Sequence, residues 1–497
     1  MEVSGKRYAP PRAGAMVEAL RGLGYTTATA IADIIDNSIS AKANRIEVNF
    51  TWAEDKSRIE IIDNGKGMNA DALDIAMRLG ELNPLDVREE LDLGRFGLGL
   101  KTASFSQCRS LTVASYQKNE FNCLRWDLDV LAESSGDGWY LLEGAAKESE
   151  SYIPLKINDS SSGTYVLWEK LDRILSKGFS PQNFLDLIDQ VEIHLAMVFH
   201  RYLEDKTTKL DILINGRKVK PWDPFLYGHP AKPWNSPLAS LKSSNGTVVV
   251  ECHVLPHQDR LSDKEYESAG GPGGWTAQQG FYVYRNKRLL LAGSWLGLGQ
   301  GRAWTKEEAH RLARIRLDIP NTADSDWKID IRKASARPPV STKKWLMRLA
   351  EDTRSRARKT FAARGRPIKH RKGQTVIQAW KTDHTSNGVR YRVDKDHPAI
   401  RAVIEDSGAL LPQVKAMLRI LEETIPVQRI WLDTAENKET PRTGFEGEAP
   451  QEIINVLEVM YQNLITKKGY SAQMAKNKLL ETEPFQAYPE LVLSLSE

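Results

Sequence analysis

At 497 residues the chain is too long for one ordinary domain, and its length predicts about three. It is 41% hydrophobic and 27% charged, the balance of a globular protein; no apolar run approaches the roughly 18 residues of a membrane span, and Met1–Leu20 lacks the apolar centre of a signal peptide. The formal charge is +4 but uneven: twelve Lys or Arg between Lys343 and Lys372 face only Glu351 and Asp352, so this stretch carries +10 and the remainder −6. Three cysteines, Cys108, Cys123 and Cys252, show no metal-ligand spacing, and the Cys252-His253 pair lacks further ligands. Few cysteines and no leader predict a reducing, cytoplasmic setting.

In chain order, residues 1 to about 175 alternate helical and strand patterns. TTATAIADIIDNSISAKA predicts a helix with Thr26 or Thr27 as N-cap. RIEVNF, RIEIIDNG, SLTVASY and GTYVLWEKL predict strands. Between Asn69 and Leu93 the segment is polar, and Asn83-Pro84 breaks any single long helix. From Pro181 to Arg337, an amphipathic helix (FLDLIDQVEIHLAMVFHRYL) precedes the strands LDILINGRKV, GTVVVECHVL and GFYVYRNKRLLL, and SAGGPGGWTAQQG reads as a loop. The basic stretch then reads as a helix ending at Gly365 and Pro367, followed by amphipathic helices such as LLPQVKAMLRILEETIP. No internal repeat is visible.

Four short motifs carry chemistry. In ADIIDNS, Asp33 and Asn37 stand at i and i+4 and share one helix face. An Asn oxygen is a hard ligand suited to Mg²⁺ arriving with phosphates, and a carboxylate one turn earlier can orient or deprotonate a water. A solvated helix face would read the same way. In IEIIDNGKGM a strand delivers Asp63 into a turn made by Gly65 and Gly67. An ionised carboxylate only accepts hydrogen bonds, so it suits an exocyclic amine, and the glycines let backbone approach a flat base. An ordinary hairpin turn is the competing reading. GRFGLGLKTAS, Gly94 to Ser104, nearly spells a P-loop, but Leu100 intrudes before Lys101 and Thr102. Its G-x-x-G-x-G order also reverses a dinucleotide fingerprint. Finally Gly163-Thr164 opens a strand.

D-x-x-x-N, D-x-G-x-G, G-x-x-G-x-G and G-T, in this order, resemble the Bergerat nucleotide fold of the GHKL superfamily: gyrase B, histidine kinases, MutL and the ninety-kilodalton heat-shock chaperones. The wording GRFGLGLKTAS is most similar to the MORC ATPases and those chaperones. The resemblance covers residues of about 10 to 175 and implies ATP and Mg²⁺ as cofactors. It implies that Asp63 binds the adenine amine, with Gly65, Gly67, Met68 and Thr164 around the base, and that Asn37 ligates Mg²⁺. Gly94, Arg95, Phe96, Gly97, Leu98, Gly99, Leu100 and Lys101 would wrap the phosphates, backbone N–H groups and a helix N-terminus doing most of this. Residues 69–93 would form the lid. Asp33 stands where the family places a catalytic glutamate, one methylene longer, and a displacement of about 1 Å can cost roughly 100-fold in rate. Ser40 replaces a frequent Asp.

GFYVYRNKRLL resembles a strand of the transducer domain in MutL-like and MORC-like proteins, and WKIDIRKASARPP resembles the segment that sends a lysine to the γ-phosphate, here Lys333, with Lys328 second. Arg354, Arg356, Arg358, Lys359, Arg364 and Arg366 are candidates for sequence-independent contact with duplex DNA; a solvated helix fits them equally. Leu411, Val414, Leu418, Leu421 and Ile425 form one apolar stripe, read as core packing with a protein-partner interface as the alternative. The expected architecture is α+β: a Bergerat α/β sandwich (1–178), a transducer-like α/β domain (179–342), a basic connector (343–375) and a mainly helical C-terminal domain (376–497). The expected function is an ATPase working as an ATP-gated homodimeric clamp in DNA repair, chromosome handling or defence against foreign DNA. A chaperone-like ATPase acting on protein clients and a nucleotide switch with negligible hydrolysis are the alternatives.

Overall fold

The computed structural model describes residues 11–81, 99–118, 120–133, 138–153, 162–207, 209–243, 246–323, 326–329, 336–362, 377–385, 388–430, 449–466 and 468–495. The chain divides into two compact units, Met1–Ala363 and Arg364–Glu497. The fold class is α+β, as the sequence predicts.

Unit 1 begins with an eight-stranded sheet. Its strands are β1 (Arg45–Thr51), β2 (Arg58–Asp63), β3 (Ser110–Gln117), β4 (Glu120–Asp127), β5 (Leu142–Glu143), β6 (Gly163–Glu169), β7 (Asp211–Ile214) and β8 (Arg217–Lys218), in the spatial order β5-β4-β3-β6-β2-β1-β7-β8. All these pairings are antiparallel except β1 with β7. The two-residue period of a strand explains the packing. Ile46, Val48 and Phe50 of β1 and Ile59 and Ile61 of β2 point into one core. Asp63 ends that same inward series, which is why a carboxylate comes to be buried at the tip of an apolar strand.

Helices α1 (Ala13–Arg21), α2 (Thr27–Ser40), α3 (Ala70–Met77), α4 (Gly99–Phe105), α5 (Leu128–Glu133) and α6 (Pro181–Val198) contribute to that core. Thr26 is the N-cap of α2: its hydroxyl accepts from the Thr29 N–H, and its own N–H donates to the Thr29 hydroxyl. α2 packs against both α4 and α6 and is covered on more than its isoleucine face: Asp33 and Asp36 are buried alongside Ile31, Ile34 and Ile35. The sheet and core continue past residue 178. Phe184, Val191 and Leu195 of α6 and Ile212 and Ile214 of β7 join the same cluster, which ends at Val219.

A second sheet is built from β9 (Trp234–Asn235), β10 (Ala239–Ser243), β11 (Gly246–Val254), β12 (Gly280–Arg285), β13 (Arg288–Ser294) and β14 (Ala313–Ile319), in the order β10-β11-β14-β12-β13, with β9 beside β11. Strand β12 is buried on both faces. Phe281 and Val283 pack with Leu346, Ala350 and Ala357 of the long helix Val340–Ala362, whereas Tyr282 and Tyr284 pack with Phe225 and with Met197 of α6. The glycine-rich stretch expected as a loop instead closes one helix, Asp263–Gly270, and starts a short one, Gly274–Ala277.

The basic stretch needs one correction. Arg354 lies on the inward face of the long helix, with its guanidinium 4.7 Å from the ring centres of both Trp295 and Trp304. It serves packing, not an open phosphate-binding face. Arg356 is exposed but pairs with Asp352 (3.0 Å) and lies over Trp234 (4.6 Å). Arg358 and Lys359 are exposed, while Arg364 and Arg366 lie outside the described residues.

Among its described residues, unit 2 holds a hairpin, Trp380–Thr385 with Gly388–Val393, and the helices Pro398–Asp406, Leu411–Glu423, Gln451–Thr466, Ala472–Leu480 and Pro489–Ser494. Its core is Leu457, Met460, Tyr461, Ala475, Leu479, Phe485 and Val492. The stripe on Leu411–Glu423 is not part of that core: none of its residues is buried, and Leu421 is exposed together with Met417 and Ile420. Among the described residues, no helix is long and apolar enough to cross a membrane.

Candidate active site

The predicted base-binding residues converge where β2 ends. Asp63 pairs with Thr164 across β2 and β6. Its two oxygens are held separately: Oδ1 accepts from the Gly65 N–H (2.8 Å) and Oδ2 from the Ser38 hydroxyl (2.8 Å). Burial pushes the Asp63 carboxyl up, while the bonds from Gly65, Ser38 and the Thr164 backbone oppose the shift. Gly67 has φ +66°, and a Cβ there would lie 1.8 Å from the Tyr116 carbonyl oxygen, so both its conformation and its space demand glycine. The Met68 N–H donates to the Ser115 hydroxyl (2.8 Å), which itself donates to the Gly163 carbonyl (3.1 Å). Ser115 thus ties the D-x-G-x-G turn to the Gly-Thr strand.

The other predicted pair sits on α2. The Asn37 side chain is exposed, whereas Asp33 is only 4% exposed. Asp33 Oδ2 accepts from the Tyr25 hydroxyl (2.9 Å), and Oδ1 lies 3.4 Å from Nη2 of Arg288. Arg288 also sends Nε to both oxygens of Asp36, at 3.2 and 3.1 Å. Ser38, Tyr25, Asp36, Ser115 and Arg288 join the site from outside the predicted set. Ser38 directly follows Asn37 and lies within reach of motif reading; Arg288 lies more than 250 positions from Asp33 and Asp36 and does not.

In the glycine run, Gly94, Arg95, Phe96, Gly97 and Leu98 lie outside the described residues, as do Lys333 and residues 82–93 of the expected lid. Gly99 opens α4, and Leu100 packs on the core. Lys101 is turned inward: it is 2% exposed, and its Nζ donates to the Ala76 carbonyl (2.8 Å) in the last turn of α3. To reach a phosphate it has to leave that carbonyl. Burial pushes its ammonium down from 10.5 to about 8. Between those values the unfolded chain holds a proton that the folded chain has shed, so this group makes stability rise with pH from 8 to about 10.5. Lys101→Met is expected to flatten that rise in thermal melts without nucleotide; parallel pH profiles for the two proteins would refute the buried setting. Lys328 is exposed, with φ +48°.

Among the described residues no cluster of three His, Cys, Asp or Glu could hold a metal by itself. The exposed Asn37 amide fits an ion carried in by phosphates, supplying one hard oxygen rather than a cage.

Residues 25–164 match the family model described as histidine kinase-, DNA gyrase B- and HSP90-like ATPase. No curated protein matches the chain. The matched span runs from Tyr25, through the Asp33–Asn37 helix and the Asp63 turn, to Thr164, so the N-terminal part of this chain is a GHKL-type ATPase domain.

Proposed function

We propose that the protein binds Mg²⁺-ATP at this site, hydrolyses it, and works as an ATP-gated homodimeric clamp on duplex DNA. The observation that carries the reading is the buried Asp63, its two oxygens fixed by Ser38 and Gly65 beside a glycine that tolerates no side chain. Such an acceptor, rigid and partly desolvated, discriminates a base that offers an amine from one that does not. Asn37 would hold the Mg²⁺ that arrives with the phosphates, and the ion would supply charge stabilisation at the phosphoryl group. Asp33 orients the attacking water. The water oxygen bonds to the γ-phosphorus, the bond to the β–γ bridging oxygen breaks, its electron pair leaves with ADP, and the water proton passes to Asp33.

The clamp part rests on the exposed basic residues Arg358 and Lys359 and on the local +10 charge of residues 343–372. Dimerisation follows the logic of ligand-shifted states: ATP favours the closed dimer only through contacts ADP cannot make, and Lys333 is the residue proposed for one of them. Family and composition favour a cytoplasmic site of action. The test is Mg²⁺-dependent ATP turnover with and without duplex DNA, alongside the sedimentation of the protein with ATP and with ADP. Turnover that rises with DNA, and a dimer formed with ATP only, is the expected result. Tight ATP binding without turnover would replace the clamp with a nucleotide switch. Turnover indifferent to DNA but raised by an unfolded protein would replace it with a chaperone.

A further inference from the structure

Arg288 stands at a junction that the reaction outlined above does not use. It is the first residue of β13, just after the two-residue turn Asn286-Lys287, where both φ angles are positive (46° and 67°), as in the tight hairpin turns whose twist matches the strands. The tip of this hairpin is pinned to the chain that follows α6: the Tyr202 hydroxyl donates to the Asn286 carbonyl, and Lys287 pairs with Asp205. With the tip held, the Arg288 side chain reaches α2. The side chains of Arg288, Asp33 and Asp36 are 5%, 4% and 1% exposed. All three guanidinium nitrogens are engaged: Nε with both oxygens of Asp36, Nη1 with the Leu289 carbonyl (2.8 Å), and Nη2 with Asp33.

We propose that Arg288 is a positioning residue for ATP hydrolysis, supplied to the nucleotide site by the second sheet. The proposal rests on the reading of Asp33 as the group that orients the attacking water. Asp33 and Asp36 lie three positions apart on one helix, where two like charges repel, and the Arg288 guanidinium reaches both of them. Tyr25, Tyr202 and His194 also face the two carboxylates, and Arg201 and Arg285 act on Tyr202. Tyr25 and Tyr202 are pushed up by burial and stay neutral, and His194 is pushed down to about 4 by burial and by Arg288 itself. Arg288 bonds to both carboxylates, and its planar fork fixes direction as well as charge. Asp36 anchors the fork through Nε, and the far end of the fork meets Asp33. A movement of β13 relative to α2 would therefore alter the aim of Asp33 directly, which makes the seating of the second sheet a condition for turnover rather than for nucleotide binding.

The experiment uses full-length protein. Arg288→Gln is expected to lower kcat for ATP by about 100-fold, the cost of a misplaced reacting group, with KM and the affinity for ATP nearly unchanged. Arg288→Lys keeps the charge but loses the fork, and is expected to recover part of the rate. The double variant Arg288→Gln/Asp36→Asn removes the carboxylate left without its partner; it is expected to regain melting temperature and to remain slow. Recovery of turnover together with stability in that double variant would show that Arg288 merely balances Asp36, and would overturn the proposal. Wild-type kcat in a folded Arg288→Gln protein would overturn it as well. Should the wild-type protein itself bind ATP and never hydrolyse it, the reading of Asp33 falls and takes this proposal with it, an outcome distinct from an active wild type with an equally active Arg288→Gln.

Discussion

Asp63→Asn is expected to weaken ATP binding by about 10- to 100-fold, the worth of a hydrogen bond to a charged group, some 1.5–3 kcal/mol. The structure says why so small a change matters. Each oxygen of Asp63 already receives one donor, the Gly65 N–H on one side and the Ser38 hydroxyl on the other. An asparagine with its oxygen toward the Gly65 N–H turns an NH₂ group toward the Ser38 hydroxyl, which can accept from it. The amide thus keeps its internal bonds but replaces one acceptor oxygen with a donor and offers no charged acceptor to the amine of the base. Acidity gives a second handle. Burial raises the Asp63 carboxyl above its usual 3.8, so the folded protein keeps that proton at a pH where the unfolded chain has released it. The sign follows: this group makes folding less favourable as pH rises through the raised value, and the acceptor form of the site disappears as pH falls through it. ATP affinity of the wild type should therefore decline on mild acidification, before an ordinary aspartate would protonate. Calorimetric titration with ATP across the acidic range reads both effects. Unchanged affinity in Asp63→Asn would place the adenine elsewhere.

The second large effect separates chemistry from binding. Asp33→Asn should reduce turnover by about 10²- to 10⁴-fold, the usual contribution of a positioned acid or base, and leave ATP affinity nearly intact. The local structure tolerates the change. The Tyr25 hydroxyl donates to Asp33 now and can accept from an amide NH₂ instead, which leaves the amide oxygen for Arg288. The fold should hold, and the loss should appear in kcat. A single-turnover measurement with bound ATP is the direct reading. Full activity in Asp33→Asn would mean that another group orients the water and that the missing methylene, relative to glutamate, has displaced the role from this position.

Much of the candidate site's local geometry is legible in the amino-acid order. The spacing of Asp33 and Asn37 needs only helix geometry to place both on α2, and the alternation of Ile59, Ile61 and Asp63 needs only a strand to put the carboxylate on the buried side. Gly65 and Gly67 announce a close backbone approach, and Gly67 makes one against the Tyr116 carbonyl. Thr26 capping α2 is equally local. Sequence patterns mislead where one local arrangement has two tertiary uses. Charge spacing on a helix does not tell an exposed arginine from one lying between two tryptophans, so the pattern offers Arg354 to a phosphate and the fold gives it to Trp295 and Trp304. An apolar stripe does not say whether anything covers it, and the residues of Leu411–Glu423 are not buried.

What the amino-acid order determines by itself is the kind of site: a strand-end carboxylate, a glycine turn, a helix carrying an acid and an amide. These follow from interactions within a few residues, where periodicity and backbone freedom decide. Only the tertiary structure decides which groups stand around them. Strand β7 runs beside β1 although more than 150 positions separate them, so the first sheet closes later than any local boundary suggests. Arg288 meets Asp33 and Asp36 from the second sheet. Such a meeting leaves no trace in sequence spacing, because it depends on the packing of α6 between the two sheets and on a hairpin whose tip is held in place. The chemistry of Asp33 is written in α2, but the charge that faces it comes from another part of the fold.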